Sequence, residues 1–108
     1  MWAYAEEQIF LPLGMNSTVF IPPVWKECAP TLKAGYPGWR ESIIRCQVHD
    51  PTAFILGGVS GDAGVFSQYQ DLAKLMTMMI RKGTYNATDG SQQRLFKEST
   101  VDLFTTAP

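Results

Sequence analysis

The chain has 108 residues, of which 45% are hydrophobic and 18% charged, and its net charge is −1. This composition is typical of one small globular domain, or of part of a larger one, and it excludes a disordered chain. The charge balance gives no reason to expect nucleic acid or an anionic membrane as a partner, and no apolar run approaches the roughly 20 residues of a membrane span. Met1 leads almost directly into Ala5-Glu6-Glu7, so we expect no export leader in this sequence.

The first predicted element is a short helix over Trp2–Leu11, where apolar residues recur at close to helical spacing. Pro12 and then Gly14 are expected to end it. Residues 16–23 are predicted to be extended, since two prolines close that segment. A long loop containing prolines and glycines follows over 24–39, and loops of this length are usually functional or packed on another part of the protein.

The middle of the chain is predicted to hold a strand and then one helical turn. Residues 41–48 have strand-like composition with imperfect alternation. Asp50 is the expected N-cap of a turn over 51–56, with Pro51 at the first helical position. His49, the single histidine, invites a catalytic interpretation beside Asp50. Neighbours in an extended segment point in opposite directions, so a structural histidine bonded to loop backbone is favoured.

Cys28 and Cys46 are the two cysteines of the chain. They do not make a metal site, which would need further Cys or His ligands at short spacing. Two alternatives stay open: a disulfide, if the compartment is oxidising, or two buried free thiols. The second is favoured because free cysteine packs as a small hydrophobic residue.

The best-defined predicted helix starts after Ser67, which forms an S-x-x-Q capping box with Gln70. Arg81 and Lys82 suit its C-terminal end, and Gly83 is the expected stop. Its apolar stripe, at i, i+3, i+4, i+7 and i+8, is expected to face the core, and consists of Leu72, Leu75, Met76, Met79 and Ile80.

The last quarter of the chain is predicted to be a polar surface loop over 84–93, followed by a second capped helix. Ser99 and Asp102 repeat the cap pattern before an apolar run. No internal repeat and no low-complexity tract is present.

The glycine loop, Gly57–Gly64, is the segment around which we expect a site to form. Its four glycines are Gly57, Gly58, Gly61 and Gly64. Glycine permits positive φ and close approach of another backbone or a ligand. Apolar residues at 54–56 and 65–66 bracket the loop and are expected to be buried, which would pin it at both ends as the wall of a pocket.

Ser60 lies among these glycines but is not predicted to be a nucleophile, because G-V-S-G-D breaks the G-x-S-x-G spacing. Neither glycine-rich phosphate motif, G-x-x-x-x-G-K-[ST] or G-x-G-x-x-G, occurs. The sequence therefore predicts no cofactor and no metal.

Several short motifs occur along the chain in a characteristic order. They are I-F-L-P-L-G-M at 9–15, A-P-T at 29–31, V-H-D-P-T-A-F at 48–54, and G-G-V-S-G-D-A-G-V-F-S at 57–67 with D-L-A at 71–73. Together they resemble the serine β-lactamase-like family, in the branch of class C β-lactamases, penicillin-binding-protein-like esterases and D-alanyl-D-alanine carboxypeptidases. Order and spacing agree over nearly the whole chain.

The catalytic motifs of that family are absent from residues 1–108. No serine has lysine three residues on, since Ser42 and Ser91 have arginine there, and no tyrosine begins Y-x-N. Lys82-Gly83-Thr84 is K-G-T, the wrong order for K-T-G. By resemblance, the first two motifs are expected before Met1 and the third after Pro108, so no catalytic residue is predicted in this segment.

The resemblance implies an α+β fold, mostly helix and loop here, as part of the β-lactamase/transpeptidase-like fold, with 1–108 an internal segment of a single catalytic domain. It implies that the glycine loop borders the substrate cleft, which assigns Gly58, Ser60, Asp62, Ala63 and Gly64 to the lining. Asp62 departs from the family pattern, because many relatives have histidine there.

The function implied is hydrolysis of a β-lactam, a D-amino-acid peptide or an ester through an acyl-enzyme. The expected partners are a small-molecule or peptidoglycan-like substrate and the remainder of the catalytic domain, with self-association of the chain alone. A periplasmic or extracellular location is implied in the same way. The alternative is a non-catalytic, truncated relative that serves as a binding or structural module.

Overall fold

The structure, a computed structural model, describes residues 1–23, 26–33 and 37–106. The chain divides into two compact units, Met1–Trp2 with Thr18–Phe66, and Ala3–Ser17 with Ser67–Pro108. Among the described residues, no helix has the length and apolar character needed to cross a membrane. The elements are α1 (Trp2–Ala5), a π-helical turn (Glu6–Phe10), α2 (Pro51–Ile55), α3 (Tyr69–Ile80), β1 (Thr84–Asn86), β2 (Gln92–Arg94) and α4 (Glu98–Thr105).

The N-terminal helix lies where the sequence predicts it, although its second half is π-helical. It ends as expected. Gly14 adopts a φ of +67°, a conformation that glycine accepts without a steric cost, and the Met15 N–H donates to the Phe10 carbonyl at 2.8 Å. The turn places Leu13 and Met15 in the core of the second unit.

The core of the second unit forms where α3 packs on this turn. Met78 is 1% exposed and clusters with Leu13 and Met15. The predicted apolar stripe is therefore wrong in part: Leu72, Met76 and Ile80 are exposed, Ile80 at 80%. The buried face is centred on residues 71, 75 and 78 instead, because that is the side on which the turn after the N-terminal helix lies.

Asp71, in the first turn of α3, is a buried carboxylate at 1% exposure. It accepts a hydrogen bond of 2.8 Å from the Ser17 backbone N–H and lies 3.2 Å from the Lys74 ammonium. Lys74 also donates to the Gly14 carbonyl. A buried charge is tolerated only when it is paired and hydrogen-bonded, so Asp71 and Lys74 together fasten the start of α3 to residues 14–17.

Both predicted capping patterns are wrong. Helix α3 begins at Tyr69 with Gln68 at the N-cap and no side-chain capping bond, one residue beyond the expected Ser67. Helix α4 begins after Lys97, again without a side-chain cap. Asp102 is instead an ion-pair partner of Lys82. A cap motif satisfies only one or two N–H groups, so packing of the helix overrides it.

Gly83 ends α3 as predicted. Its N–H donates to the Met78 carbonyl at 2.9 Å and its φ is +89°. A side chain has no room here, because a Cβ would lie 2.1 Å from the Phe96 carbonyl oxygen. The Gly83 carbonyl in turn accepts from the Leu95 N–H at 2.8 Å. This bond joins the residue before β1 to the residue after β2.

The next element is a β-hairpin, so the prediction of a loop over 84–93 is wrong. Strands β1 and β2 pair antiparallel with Tyr85 opposite Gln93. In the turn, Asp89 accepts from the Ser91 N–H at 2.8 Å and from its hydroxyl at 2.6 Å. Strand β2 is exposed throughout and carries no apolar alternation, which is why hydrophobic periodicity does not reveal it.

The first unit has little regular structure besides α2. The predicted strand over 41–48 is wrong: only an isolated bridge joins Ile44 to Thr31, with the Thr31 N–H 2.9 Å from the Ile44 carbonyl. The predicted extended segment 16–23 contributes one bridge, Val19 to Phe66. Of the predicted long loop, Val24, Trp25 and residues 34–36 lie outside the described residues.

Cys28 and Cys46 form a disulfide, with their Cα atoms 5.2 Å apart. The favoured prediction of two free thiols is therefore wrong. The general burial preference of cysteine does not tell whether the two segments that carry these residues meet. The Thr31–Ile44 bridge lies between the same two segments. The cross-link spans a sequence separation of 18, and closing a loop of that size stabilises a fold by roughly 3 kcal/mol in chain-entropy terms.

Candidate functional site

The glycine loop begins directly after α2, whose start is as predicted. Asp50 accepts from the Ala53 N–H at 2.7 Å, and Pro51 occupies the first turn. At the other end, the Gly58 N–H donates to the Ala53 carbonyl at 2.7 Å. Gly57 and Gly58 have φ values of +86° and +87°, which explains why two glycines stand there.

The loop returns on itself at Gly64, which is buried and has a φ of +111°. A Cβ on this residue would lie 2.5 Å from the Gly58 carbonyl oxygen, so the two ends of the loop touch through backbone alone. Val19 and Phe66 then exchange both backbone hydrogen bonds, at 2.9 and 2.7 Å.

Backbone contacts of this kind pin the loop, and the apolar brackets do so less than expected. Ile55 and Leu56 are exposed at 74% and 62%, and Val65 is half exposed. Phe54 and Phe66 are the partly buried members of the brackets. The expected burial of the brackets is therefore wrong for these three aliphatic residues.

Ser60 and Asp62 face each other across the tip of the loop, where the Ser60 hydroxyl donates to the Asp62 carboxylate. This bond, together with backbone N–H donors, holds the pKa of the Asp62 carboxyl below its usual value of 3.8. Asp62 is exposed and Ala63 is partly buried. The tip thus presents a carboxylate that is ionised at neutral pH, and the serine hydroxyl is occupied by it.

A hollow of about 250 Å³ lies beside the loop, within the first unit. Of the five residues assigned to the cleft by resemblance, Gly58 lines it and the other four do not. Sequence reasoning did not assign the rest of the lining, which comes from separate segments. Val48, Phe54, Gly57 and Phe66 belong to the quoted motifs, whereas residues 20–22 and 46–47 belong to none. The lining residues are Phe20, Ile21, Pro22, Cys46, Gln47, Val48, Phe54, Gly57, Gly58 and Phe66.

His49 precedes α2 and does not form a pair with Asp50, whose carboxylate caps the helix. The imidazole is exposed. The His49 backbone carbonyl oxygen accepts a hydrogen bond of 3.2 Å from the Arg40 guanidinium. Among the described residues, no cluster of three or more His, Cys, Asp or Glu could hold a metal ion.

The relatives of this chain are hydrolases by name. A protein of Escherichia coli K12, provisionally named D-alanyl-D-alanine carboxypeptidase, is 39% identical over 117 residues. That match covers 96% of this chain and 26% of the relative. A Salmonella paratyphi B protein of the same provisional name is 36% identical over 115 residues, covering 94% of this chain and 26% of the relative.

A second kind of name occurs as well. An N-acetylmuramyl-L-alanine amidase of Bacillus subtilis is 34% identical over 117 residues, which covers 94% of this chain and 25% of the amidase. The chain thus spans about a quarter of the length of the curated relatives it matches. No family model matches it, and no solved structure does.

Proposed function

We propose that this chain is a segment of a serine hydrolase that acts through an acyl-enzyme, and that its glycine loop borders the substrate cleft. The observation that supports this most strongly is the 39% identity to the E. coli relative across 96% of the chain. The proposed substrate is a D-amino-acid peptide, with a β-lactam or an ester as the other members of the class implied by the resemblance.

The contribution of these residues is the shape and charge of the cleft, since nucleophile and base are not among them. An acyl-enzyme mechanism needs an activated nucleophile and N–H donors for the oxyanion, and residues 1–108 contain none of S-x-x-K, Y-x-N or K-T-G. The left-handed glycines allow the tight backbone path of the loop, and Asp62 places a negative charge at its tip.

The disulfide supports an oxidising compartment for this segment. Disulfides persist outside the cytosol and are rare in reducing compartments, and Cys28–Cys46 joins two parts of the first unit. A periplasmic or extracellular hydrolase fits both this bond and a peptidoglycan-like substrate.

The test is a chimera in which residues 1–108 replace the matching segment of the E. coli relative. We expect the chimera to release D-alanine from a D-alanyl-D-alanine peptide, or to turn over a chromogenic cephalosporin or a p-nitrophenyl ester. The isolated chain should do none of these above a heat-treated control, because loss of the nucleophile and base costs several orders of magnitude. The intact relative and the relative with the segment replaced by a flexible linker are the controls.

A folded but inactive chimera, made from an active relative, would contradict the proposal. It would leave the alternative, a non-catalytic binding or structural module. The name of the B. subtilis relative supports an amidase as a second candidate function, so the chimera should also be assayed on an N-acetylmuramyl-L-alanine peptide.

A further inference from the structure

Arg40 belongs to none of the sequence motifs, yet its side chain contacts several residues that line the hollow. Its guanidinium donates to the Val48 carbonyl, to the His49 carbonyl at 3.2 Å and to the Gln47 side-chain oxygen at 3.3 Å. One side chain thus holds three consecutive residues, of which Gln47 and Val48 line the hollow.

The same guanidinium also lies on the ring of Phe54. Its central carbon is 4.0 Å from the Phe54 ring centroid and 5.6 Å from that of Trp39. Phe54 belongs to α2 and lines the hollow, and the glycine loop starts three residues later at Gly57. Arg40 therefore joins the wall formed by residues 47–48 to the helix from which the glycine loop departs.

Two features of Arg40 are energetically unfavourable and would not be expected of an arginine that is simply solvated at the surface. The Arg40 Nε atom is buried without an acceptor among the described residues, and no carboxylate pairs with the cation there. An unsatisfied buried donor destabilises a fold. Its backbone φ is +52°, a region that non-glycine residues uncommonly occupy.

We infer that Arg40 is a positioning residue, which fixes the wall of the hollow against α2 and thereby sets where the glycine loop begins. Arginine fits this place because its rigid planar fork donates in several fixed directions while its flat face stacks on an aromatic ring. Lysine is a point charge with three donors on one nitrogen, so it cannot reach all three acceptors and stack at the same time. Arg40 does not line the hollow, so it acts through Gln47, Val48 and Phe54. For catalysis the inference rests on the proposed function, and it places the effect on substrate binding.

The matched variants are Arg40→Lys and Arg45→Lys. Arg45 is exposed and donates a hydrogen bond of 3.3 Å to the Cys28 carbonyl. Arg45→Lys makes the same change of side chain as Arg40→Lys and keeps the positive charge, but it leaves the contacts to Gln47, Val48 and Phe54 intact. In amide hydrogen exchange on the chain itself, Arg40→Lys should speed exchange at Ala53, Gly57 and Gly58 about tenfold or more, since charge-assisted bonds are lost. Exchange at Gly83, whose N–H closes α3, should not change, which shows that the second unit stays folded.

In the active chimera, Arg40→Lys should raise KM about tenfold and leave kcat within about twofold, the split expected when binding is lost equally from the ground state and the transition state. Equal exchange rates in Arg40→Lys and Arg45→Lys would overturn the inference. So would a fall in kcat at unchanged KM that follows the folded fraction, because that pattern belongs to a purely structural residue. If the chimera carrying the unaltered chain is inactive, the proposed function fails, and the exchange comparison alone decides the role of Arg40.

Discussion

Gly64 is a residue at which a single methyl group should disturb the candidate site. Gly64→Ala would place a Cβ 2.5 Å from the Gly58 carbonyl oxygen, whereas Gly57→Ala meets nothing within 4 Å, and both residues have positive φ. We expect about 1–2 kcal/mol of destabilisation for Gly57→Ala from the left-handed conformation and about 1–3 kcal/mol more for Gly64→Ala from the clash. Urea unfolding of the two variants measures the difference, and equal values would mean that the loop relaxes around the added group.

Asp62 should act on the charge preference of the cleft and not on folding. In the chimera, Asp62→His removes an ionised carboxylate at the loop tip, so KM for an anionic peptide should fall severalfold while KM for a neutral ester changes little. Because charge effects at exposed positions are screened, the difference should shrink at high salt. The same change in KM for both substrates at every salt concentration would reduce Asp62 to a turn residue.

Asp71, although charged, is expected to contribute strongly to the free energy of unfolding because it is buried and bonded to two partners. Asp71→Ala removes the acceptor of the Ser17 N–H and one partner of Lys74, and should lower the free energy of unfolding by about 2–4 kcal/mol. Asp71→Asn keeps a neutral acceptor and should cost less. Asp102→Ala is the control, since the Lys82–Asp102 pair is half exposed and such pairs contribute little. An equal effect of Asp71→Ala and Asp102→Ala in urea unfolding would refute the anchoring role.

At the scale of elements, the hairpin depends on a carboxylate that titrates in acid. The Ser91 hydroxyl and N–H lower the pKa of Asp89 from 3.8, so its contribution is present above pH 3.8 and is lost as pH falls through the lowered pKa. We expect the protection of the Ser91 amide, measured as its exchange rate relative to the intrinsic rate at the same pH, to fall below that pH. The Asp89→Asn variant should lack this step. A step that persists in Asp89→Asn would assign it to another group.

The elements that could be located from the sequence are those fixed by the backbone conformation or the capping chemistry of a few neighbouring residues. Gly14 and Gly83 end helices because the chain needs positive φ there, and Asp50 with Pro51 starts α2 because cap chemistry is short-ranged. The face of α3 was misjudged because Leu72, Met76 and Ile80 are as apolar as the buried residues, and only the position of Leu13 and Met15 decides between the two faces.

Elements held by long-range pairing had no comparable signal. The Cys28–Cys46 bond and the Thr31–Ile44 bridge join the same two segments, and neither spacing nor composition reveals that these segments meet. The hollow is the same kind of feature, since its lining comes from residues near 20, 47, 54 and 66. The glycine loop was found because its composition is unusual, whereas Arg40 carries no motif at all.

For the whole molecule, the feature with the widest consequence is the apolar surface of the second unit. Helices α3 and α4 expose Met76, Ile80, Leu103 and Phe104, the last at 79%. Beside them, a groove of about 350 Å³ is lined by Met79, Phe96, Thr100, Val101 and Phe104. Exposed apolar surface beside an apolar groove usually marks an interface, and under the proposed function the remainder of the catalytic domain would cover it.

The isolated chain should therefore self-associate. Sedimentation velocity over a range of concentrations should show a rising average mass, and the double variant Ile80→Lys with Phe104→Lys should shift it toward the monomer. Leu32→Lys is the matched control, because Leu32 is 82% exposed but lies on the other unit. A monomer with sharp, concentration-independent thermal unfolding would contradict this expectation.

The Cys28–Cys46 bond makes a covalent ring that contains three sites for a trypsin-like protease, after Lys33, Arg40 and Arg45. Lys33 and Arg45 are both exposed, so a protease can reach more than one of these residues. A single cut would release no fragment, because both new ends stay tied through the two sulfur atoms. A nicked molecule would migrate as one species until a reductant is added, and the hollow beside Cys46 would lose its covalent support only at that second step.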